Sequence, residues 1–202
     1  MDFISLFPTT ILKEKLTNIS SPQNQEYYNF LNNSKNFPLG ENKGTITTIN
    51  QNILDLPLFL NLKIQILNYA KLYLDRLGHK YEDVQVSNSW GTVTPNNQQS
   101  ILHNHSNSYI SGVYYLSSGS NIIFYSPTTE KWTFSPDIKF KENNPSTYQS
   151  YYIIPSPSLL LLFPSYVYHQ IEENKSSDRF SIAFNIIPKG EFGRKSAKLY
   201  LK

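Results

Sequence analysis

The 202-residue chain contains no cysteine. Disulfides and thiolate metal sites are therefore excluded. A long apolar stretch is missing too. The longest run, LLLLF at 159–163, falls far short of the roughly 20 residues that a membrane-spanning helix needs. The opening residues, MDFISLFPTTILKEKL, show neither a charged n-region nor a long apolar core, so no secretory leader is expected. Charge of one sign is also lacking. Eighteen Lys and Arg stand against fifteen Asp and Glu, a formal net charge of +3, which argues against nucleic acid as a main partner. Histidine is scarce, with four residues, yet two of them sit two apart in HNHSNSYISGVYYL (His103 to Leu116).

What is present points to a packed domain. Hydrophobic residues make up 39% and aromatics 14%, which excludes disorder, and the length fits one domain with a sizeable core. Fifteen Tyr and twelve Phe favour pleated surfaces. In the first 80 residues, SSPQNQEYYNFLNN reads as a short helix and KGTITTINQNI as a strand or extended piece. The clearest helix is DLPLFLNLKIQILNYAKLYLDRLGHK. Asp55 is placed to cap it, Pro57 suits its first turn, and Gly78 ends it. Leu60, Ile64, Leu67, Ala70, Leu74 and Leu77 recur at three- and four-residue steps, a stripe expected to pack across a sheet.

After residue 80 the pattern changes to short strand-like runs punctuated by Gly, Pro, Asn and Ser: YEDVQVSNSWGTV, SYISGVYYLSS, NIIFYSP, STYQSYYIIP, SLLLLFPS, YVYHQIEE and RFSIAFNIIP. This spacing predicts a mainly β fold with N-terminal helices, a jelly roll whose two sheets leave ligand space between them. The expected organisation is one domain over 1–202: a helical and extended support over 1–80, a jelly-roll core over 81–188, and a basic tail or edge strand over 189–202. Gly112 inside a strand marks a bulge or a close approach. Trp90 and Trp132 read as core or rim, Asn107 and Ser108 as polar loop, Pro164 as the turn before the strand bearing His169, and Asn185 as a pocket residue or a strand end.

Residues two apart on a strand share a face, so His103 and His105 can present two imidazoles to one metal while Asn104 points away. His169, in a distant strand-like run, supplies a third, whereas His79 lies just past the helix end and reads as a surface or cap residue. Three such ligands form a facial set with open positions, suited to iron, zinc, copper or nickel. The alternative is a histidine pair decorating a polar loop. In DRFSIAFN, Arg179 and Ser181 share a strand face. An inward Arg there needs an anion, and its planar fork suits a carboxylate. The competing arrangement turns Arg179 outward to Asp178 or Glu172 and makes Phe180, Ile182, Phe184 and Ile186 the core face.

The order HxH, SGVYYL, LLLFPSYVYHQIEEN, RFSIAFN resembles the Fe(II)/2-oxoglutarate-dependent oxygenases, most closely a prolyl-hydroxylase-like subgroup common in marine phages and bacteria. LFPTTIL, the central helix and SNSWGTV also fit that layout. The resemblance implies a double-stranded β-helix, a cupin-like jelly roll, and an enzyme that couples oxidative decarboxylation of 2-oxoglutarate to hydroxylation of a substrate by O2. By this resemblance His103 stands for the first histidine of the family's metal motif, His105 for its usual carboxylate, and His169 for the distal histidine, together holding Fe(II). Arg179 and Ser181 match the element that grips the far carboxylate of 2-oxoglutarate. Tyr115 resembles a tyrosine assisting that grip, and Val113 lines the cosubstrate pocket. His105 departs from the superfamily's Asp or Glu, and Glu172 or Asp178 are candidate outside carboxylates. The implied setting is the cytoplasm of a bacterium or of a phage-infected cell, with a small-molecule or peptidyl substrate and no membrane. Two rivals remain open: a non-enzymatic cupin-like metal- or ligand-binding protein, and a three-histidine oxygenase, like the thiol dioxygenases, that uses iron without 2-oxoglutarate.

Overall fold

A computed structural model of the protein describes every residue except 2–6, 35, 39–44, 128–140, 143, 145, 146 and 148; Trp132 lies outside the described residues. The chain begins with a strand, β1 (Leu12–Lys15), and a helix, α1 (Ser21–Asn33). Ser20 starts that helix with a reciprocal cap. Its hydroxyl accepts from the Gln23 N–H, and the Gln23 side chain accepts from the Ser20 N–H. Two short strands follow, β2 (Asn36–Pro38) and β3 (Ile46–Thr48), and then the long helix α2 (Leu60–Arg76).

The α2 start differs from the expectation. Pro57 opens a separate single turn, Pro57–Phe59, and Asp55 sits in an earlier turn where it ion-pairs with Lys63 instead of capping. Phe59 occupies the N-cap position without a side-chain cap. The buried face also differs. Leu62, Ile66, Ala70, Tyr73 and Leu74 are buried behind Phe59, whereas Leu60 and Ile64 are about half exposed. Both sets obey helical spacing because α2 carries apolar residues around most of its circumference, so periodicity alone could not pick the side that meets the sheet. The end of α2 is as expected. Gly78 adopts a left-handed conformation (φ 74°), its N–H donates to the Asp75 carbonyl, and the His79 N–H reaches back to the Leu74 carbonyl. These two bonds form a Schellman cap.

The remaining strands are β4 (Asp83–Thr94), β5 (Ile110–Tyr115), β6 (Ile122–Tyr125), β7 (Ser150–Ile153), β8 (Leu159–Pro164), β9 (His169–Ile171), β10 (Arg179–Phe192) and β11 (Leu199–Leu201). They pair antiparallel. The larger sheet runs β1-β8-β5-β10-β4-β3-β2, with β11 added beside β10 as an edge strand; the smaller is β7-β6-β9. The mainly β jelly-roll expectation therefore holds. Among the described residues no helix is long and apolar enough to cross a membrane.

The larger sheet is covered on both faces. Alternate residues of β5, β8 and β10 (Ile110 and Tyr114, Leu160 and Leu162, Phe180 through Ile186 in steps of two) pack under α1 and α2. The intervening residues Val113, Tyr115, Leu159, Leu161 and Phe163 face Ile122, Phe124 and Ile153 of the smaller sheet. Each such side chain contributes roughly 1.5–3 kcal/mol on burial. Strands buried on both faces read as near-continuous apolar runs, which explains LLLLF.

Gly112 marks a close approach rather than a bulge. It pairs with Phe184, whose ring lies over it, and a Cβ at Gly112 would sit 2.4 Å from that ring. The register shift falls elsewhere, between Asn185 and Ile186 opposite β4. Gly112→Ala is expected to destabilise the protein by about 1–3 kcal/mol, the usual effect of overpacking a core. Urea denaturation would show this as a lower midpoint at unchanged slope.

Candidate metal centre

His103 and His105 lie in the segment that enters β5, and His169 opens β9. The segment is fixed to β9 by a reciprocal pair of backbone bonds, His103 N–H to the His169 carbonyl (3.0 Å) and His169 N–H to the His103 carbonyl (2.9 Å). As expected from the two-residue spacing, Leu102 and Asn104 are exposed while the two histidines turn inward. One ring nitrogen from each of His103, His105 and His169 lies within 4.8 Å of the others. The His105 and His169 rings are stacked, 6° from parallel.

Tautomers follow from the partners. His103 Nδ1 lies 2.8 Å from the Ile101 carbonyl, and His169 Nδ1 lies 3.0 Å from the Val167 carbonyl. A carbonyl only accepts, so Nδ1 carries the proton in both rings and Nε2 is left with its lone pair free. A ring that donates its other N–H to a carbonyl is the usual arrangement of a metal-binding histidine. His105 Nε2 is 3.4 Å from His169 Nε2, a distance two nitrogens keep through one shared proton or one shared ion. Metal–imidazole bonds are about 2.1 Å long, so such a spacing suits a common ion. Burial, reinforced by the nearby His103, holds His169 down to about 3 and His105 down to about 4. Both are neutral at pH 7, the form that binds metal. The group contains no carboxylate among the described residues, so neither Glu172 nor Asp178 joins it.

Arg179 lies inside, 1% exposed, and the outward arrangement with Asp178 or Glu172 is wrong. Phe180, Ile182, Phe184 and Ile186 are nonetheless core residues. The two arrangements were never exclusive, because both faces of β10 are covered. The guanidinium makes one long contact, Nη1 to the Ser181 hydroxyl at 3.4 Å, and stands over the Tyr115 ring with Cζ 4.8 Å from its centre. Among the described residues its Nε and Nη2 and the Tyr115 hydroxyl have no well-formed hydrogen-bond partner, although the phenol and guanidinium lie close enough for each to favour the other's charged form. The two groups are near enough to act electrostatically. Burial dominates, lowering the Arg179 pKa and raising that of Tyr115, and each partly offsets the shift of the other.

The unpartnered atoms cluster. Seven buried side-chain atoms lack a partner among the described residues; two belong to this guanidinium, and two more, the hydroxyls of Tyr115 and Thr94, are on residues beside it. Thr94 is the cross-strand neighbour of Arg179, so its hydroxyl shares the same face. Ser120 follows Gly119, whose own Cβ would touch the Arg179 side chain at 3.0 Å. Ser181 pairs with Tyr115, and Val113 faces the same interior opposite Ala183. A buried cation with two idle donors, ringed by idle hydroxyls, is unfavourable until an anion enters. A carboxylate fits it, since a planar fork can take both oxygens. The residues therefore suit a divalent ion at the histidines and an organic carboxylate at Arg179.

Thr94 and Ser120 escaped the sequence reading. Thr94 was recoverable, because alternation from Trp90 through Thr92 puts it on the pocket face of β4. Ser120 lies in a turn and carried no signal. Trp90 is half-buried with its ring 6.0 Å from that of His105, a rim position.

Residues 88–185 match the family model described as "Putative 2OG-Fe(II) oxygenase", a span that includes all seven candidate site residues. No curated protein matches the chain. Solved structures are similar in fold. One is a Pseudomonas putida prolyl-4-hydroxylase, 12% identical, covering 90% of this chain and 94% of that one at a TM-score of 0.62. Another is HygX from Streptomyces hygroscopicus with nickel and 2-oxoglutarate bound, 14% identical, covering 90% and 84% at 0.62. A third is the viral collagen prolyl hydroxylase of Paramecium Bursaria Chlorella virus-1 in complex with 2-oxoglutarate, 11% identical, covering 87% and 94% at 0.56.

Removing a ligand should matter more than removing its orienting partner, which costs roughly 10–100-fold in metal affinity. His103→Ala and His169→Ala are each expected to weaken Co(II) binding by more than that, as measured by calorimetric titration. His105→Ala is expected to weaken it less, because that ring has no Nδ1 anchor to lose.

Proposed function

We infer that the protein is a member of the 2OG-Fe(II) oxygenases and works as an Fe(II)- and 2-oxoglutarate-dependent dioxygenase. The observation that carries this reading is the buried, half-unpaired Arg179 in the same interior as three converging imidazoles. His103, His105 and His169 hold the iron. When bound, iron and 2-oxoglutarate supply oxidative decarboxylation of 2-oxoglutarate by O2, giving succinate and CO2, coupled to hydroxylation of a substrate C–H bond.

The chain's own residues bind, orient and exclude water. Arg179 pairs with the far carboxylate of 2-oxoglutarate. Ser181, Tyr115, Thr94 and Ser120 offer hydroxyls to the same group, and Val113 closes the apolar side. Phe163, 4.8 Å from the His169 ring, and Phe124, 6.0 Å from it, keep solvent from the back of the metal site. The carbonyls of Ile101 and Val167 hold two rings in the tautomer that presents Nε2. The substrate is a small molecule or a peptidyl segment that approaches from the side where His103 and His105 remain partly open.

An iron enzyme of this shape without 2-oxoglutarate would leave the Arg179 donors unanswered, so the two-ligand reading accounts for more of the interior. Anaerobic addition of Fe(II) and 2-oxoglutarate together should give a visible charge-transfer band that neither gives alone, and air should then yield succinate. Arg179→Ala should raise the 2-oxoglutarate concentration for half-maximal band by roughly 100-fold or more. This follows from the ~3 kcal/mol or more lost when a buried charge pair loses one partner. A parent protein that binds Fe(II) but shows neither band nor succinate would identify a cupin-like binding protein instead.

A further inference from the structure

His105 is held differently from its two neighbours. The other two rings each donate Nδ1–H to a backbone carbonyl, whereas His105 Nδ1 has no partner among the described residues. Its main chain is tied instead. The His105 N–H donates to the Ser165 carbonyl (3.0 Å), and the Ser165 N–H donates to the Tyr109 carbonyl (3.2 Å). Ser165 therefore grips both ends of the 105–109 loop. That loop turns through Asn107 in a left-handed conformation (φ 55°), which Asn tolerates better than most residues.

Behind this grip runs a row of hydroxyls and amides. Ser165 Oγ lies 2.8 Å from both Ser108 Oγ and Ser111 Oγ, and its single proton serves one of them at a time. Ser111 donates to Asn185 Oδ1 (2.8 Å), and Asn185 Nδ2 donates to Asn88 Oδ1 (2.9 Å). Ser111, Ser165 and Asn185 are all buried. The row runs from the turn just after β8 through β5 and β10 to β4, neighbours in the larger sheet. Stability alone does not call for it, since replacing both members of a buried hydrogen-bonded pair by apolar groups of similar shape is nearly neutral. What the row adds is direction, because its short contacts break when the loop shifts.

We propose that Ser111, Ser165 and Asn185 are positioning residues for His105: they set the loop so that the one imidazole without its own anchor points at the metal. None of them belongs to the histidine group. The inference rests on the reading of His103, His105 and His169 as metal ligands, and the two can fail separately. If the parent chain binds no Co(II), that reading falls.

The test is a double-mutant cycle read by Co(II) affinity and by the visible d–d spectrum of the Co(II) protein. Ser111→Ala and Ser165→Ala are each made in the parent and in His105→Ala, with thermal melts to confirm folding. In the parent background each serine variant should lose about tenfold in Co(II) affinity, the scale of an orienting contact. Its spectrum should move toward that of His105→Ala, and Ser165→Thr, which keeps the hydroxyl, should retain parent affinity. In the His105→Ala background the same changes should have no further effect. Equal losses in both backgrounds would overturn the proposal, since the row would then serve the fold at large, and so would no loss in the parent. If Ser165→Ala does not fold, Ser111→Ala carries the cycle alone.

Discussion

A guanidinium sealed between two sheets, with Nε and Nη2 idle, is the constraint around which this interior is organised. Arg keeps its charge, so burial cannot be relieved by losing a proton as it can for Lys or His. The fold must therefore supply an anion or accept a standing penalty. Among the described residues it supplies none, only the ring face of Tyr115, the long contact to Ser181 and the neighbouring Thr94. The surroundings of the guanidinium are thus set by strands β4, β5 and β10. The double cover of the larger sheet makes this geometry stable, because Phe180 and Ile182 anchor β10 under the helices while Arg179 and Ser181 face the other way.

The histidine group poses a related problem with no charge of its own. Three neutral imidazoles bring donors but no compensating charge. A divalent ion plus Arg179 then carries one more positive charge than a dicarboxylate neutralises. With Asp or Glu at position 105 that balance would close. With His105 the pocket keeps a positive excess, which favours a doubly charged cosubstrate and places more demand on geometry. Two of the rings meet that demand through carbonyl anchors, and the third through its loop.

Much of this was legible in the sequence, for identifiable reasons. Two-residue spacing put His103 and His105 on one face, in line with their convergence with His169, and the strand pattern offered an inward Arg179, in line with its burial. Strand-scale alternation marked the sheets, and Gly78 marked the end of α2. The misreadings share one cause: a local pattern does not say what lies on each side. The α2 stripe was assigned to Leu60 and Ile64 because an apolar helix offers several faces of equal spacing. Arg179 and Phe180 looked like rivals because alternation suggests one buried face, whereas here both are buried. Asp55 and Pro57 carried genuine start signals, but for single turns preceding the helix. Ser120 and the Ser111–Asn185 row were invisible, since their meaning arises only where distant strands meet.

If Arg179 is a cation held in readiness for a carboxylate, its burial comes at the expense of the ligand-free fold. Unfolding free energies of the parent and of Arg179→Leu, with and without 2-oxoglutarate and Co(II), test it directly. Without ligand, the leucine variant should be as stable as the parent or more so, as when buried charges give way to apolar side chains of similar size. With ligand, the parent should gain stability in proportion to the logarithm of 2-oxoglutarate concentration, and the variant should gain far less. A variant that is destabilised equally with and without 2-oxoglutarate would contradict the account, because Arg179 would then be a structural residue already satisfied by the protein itself.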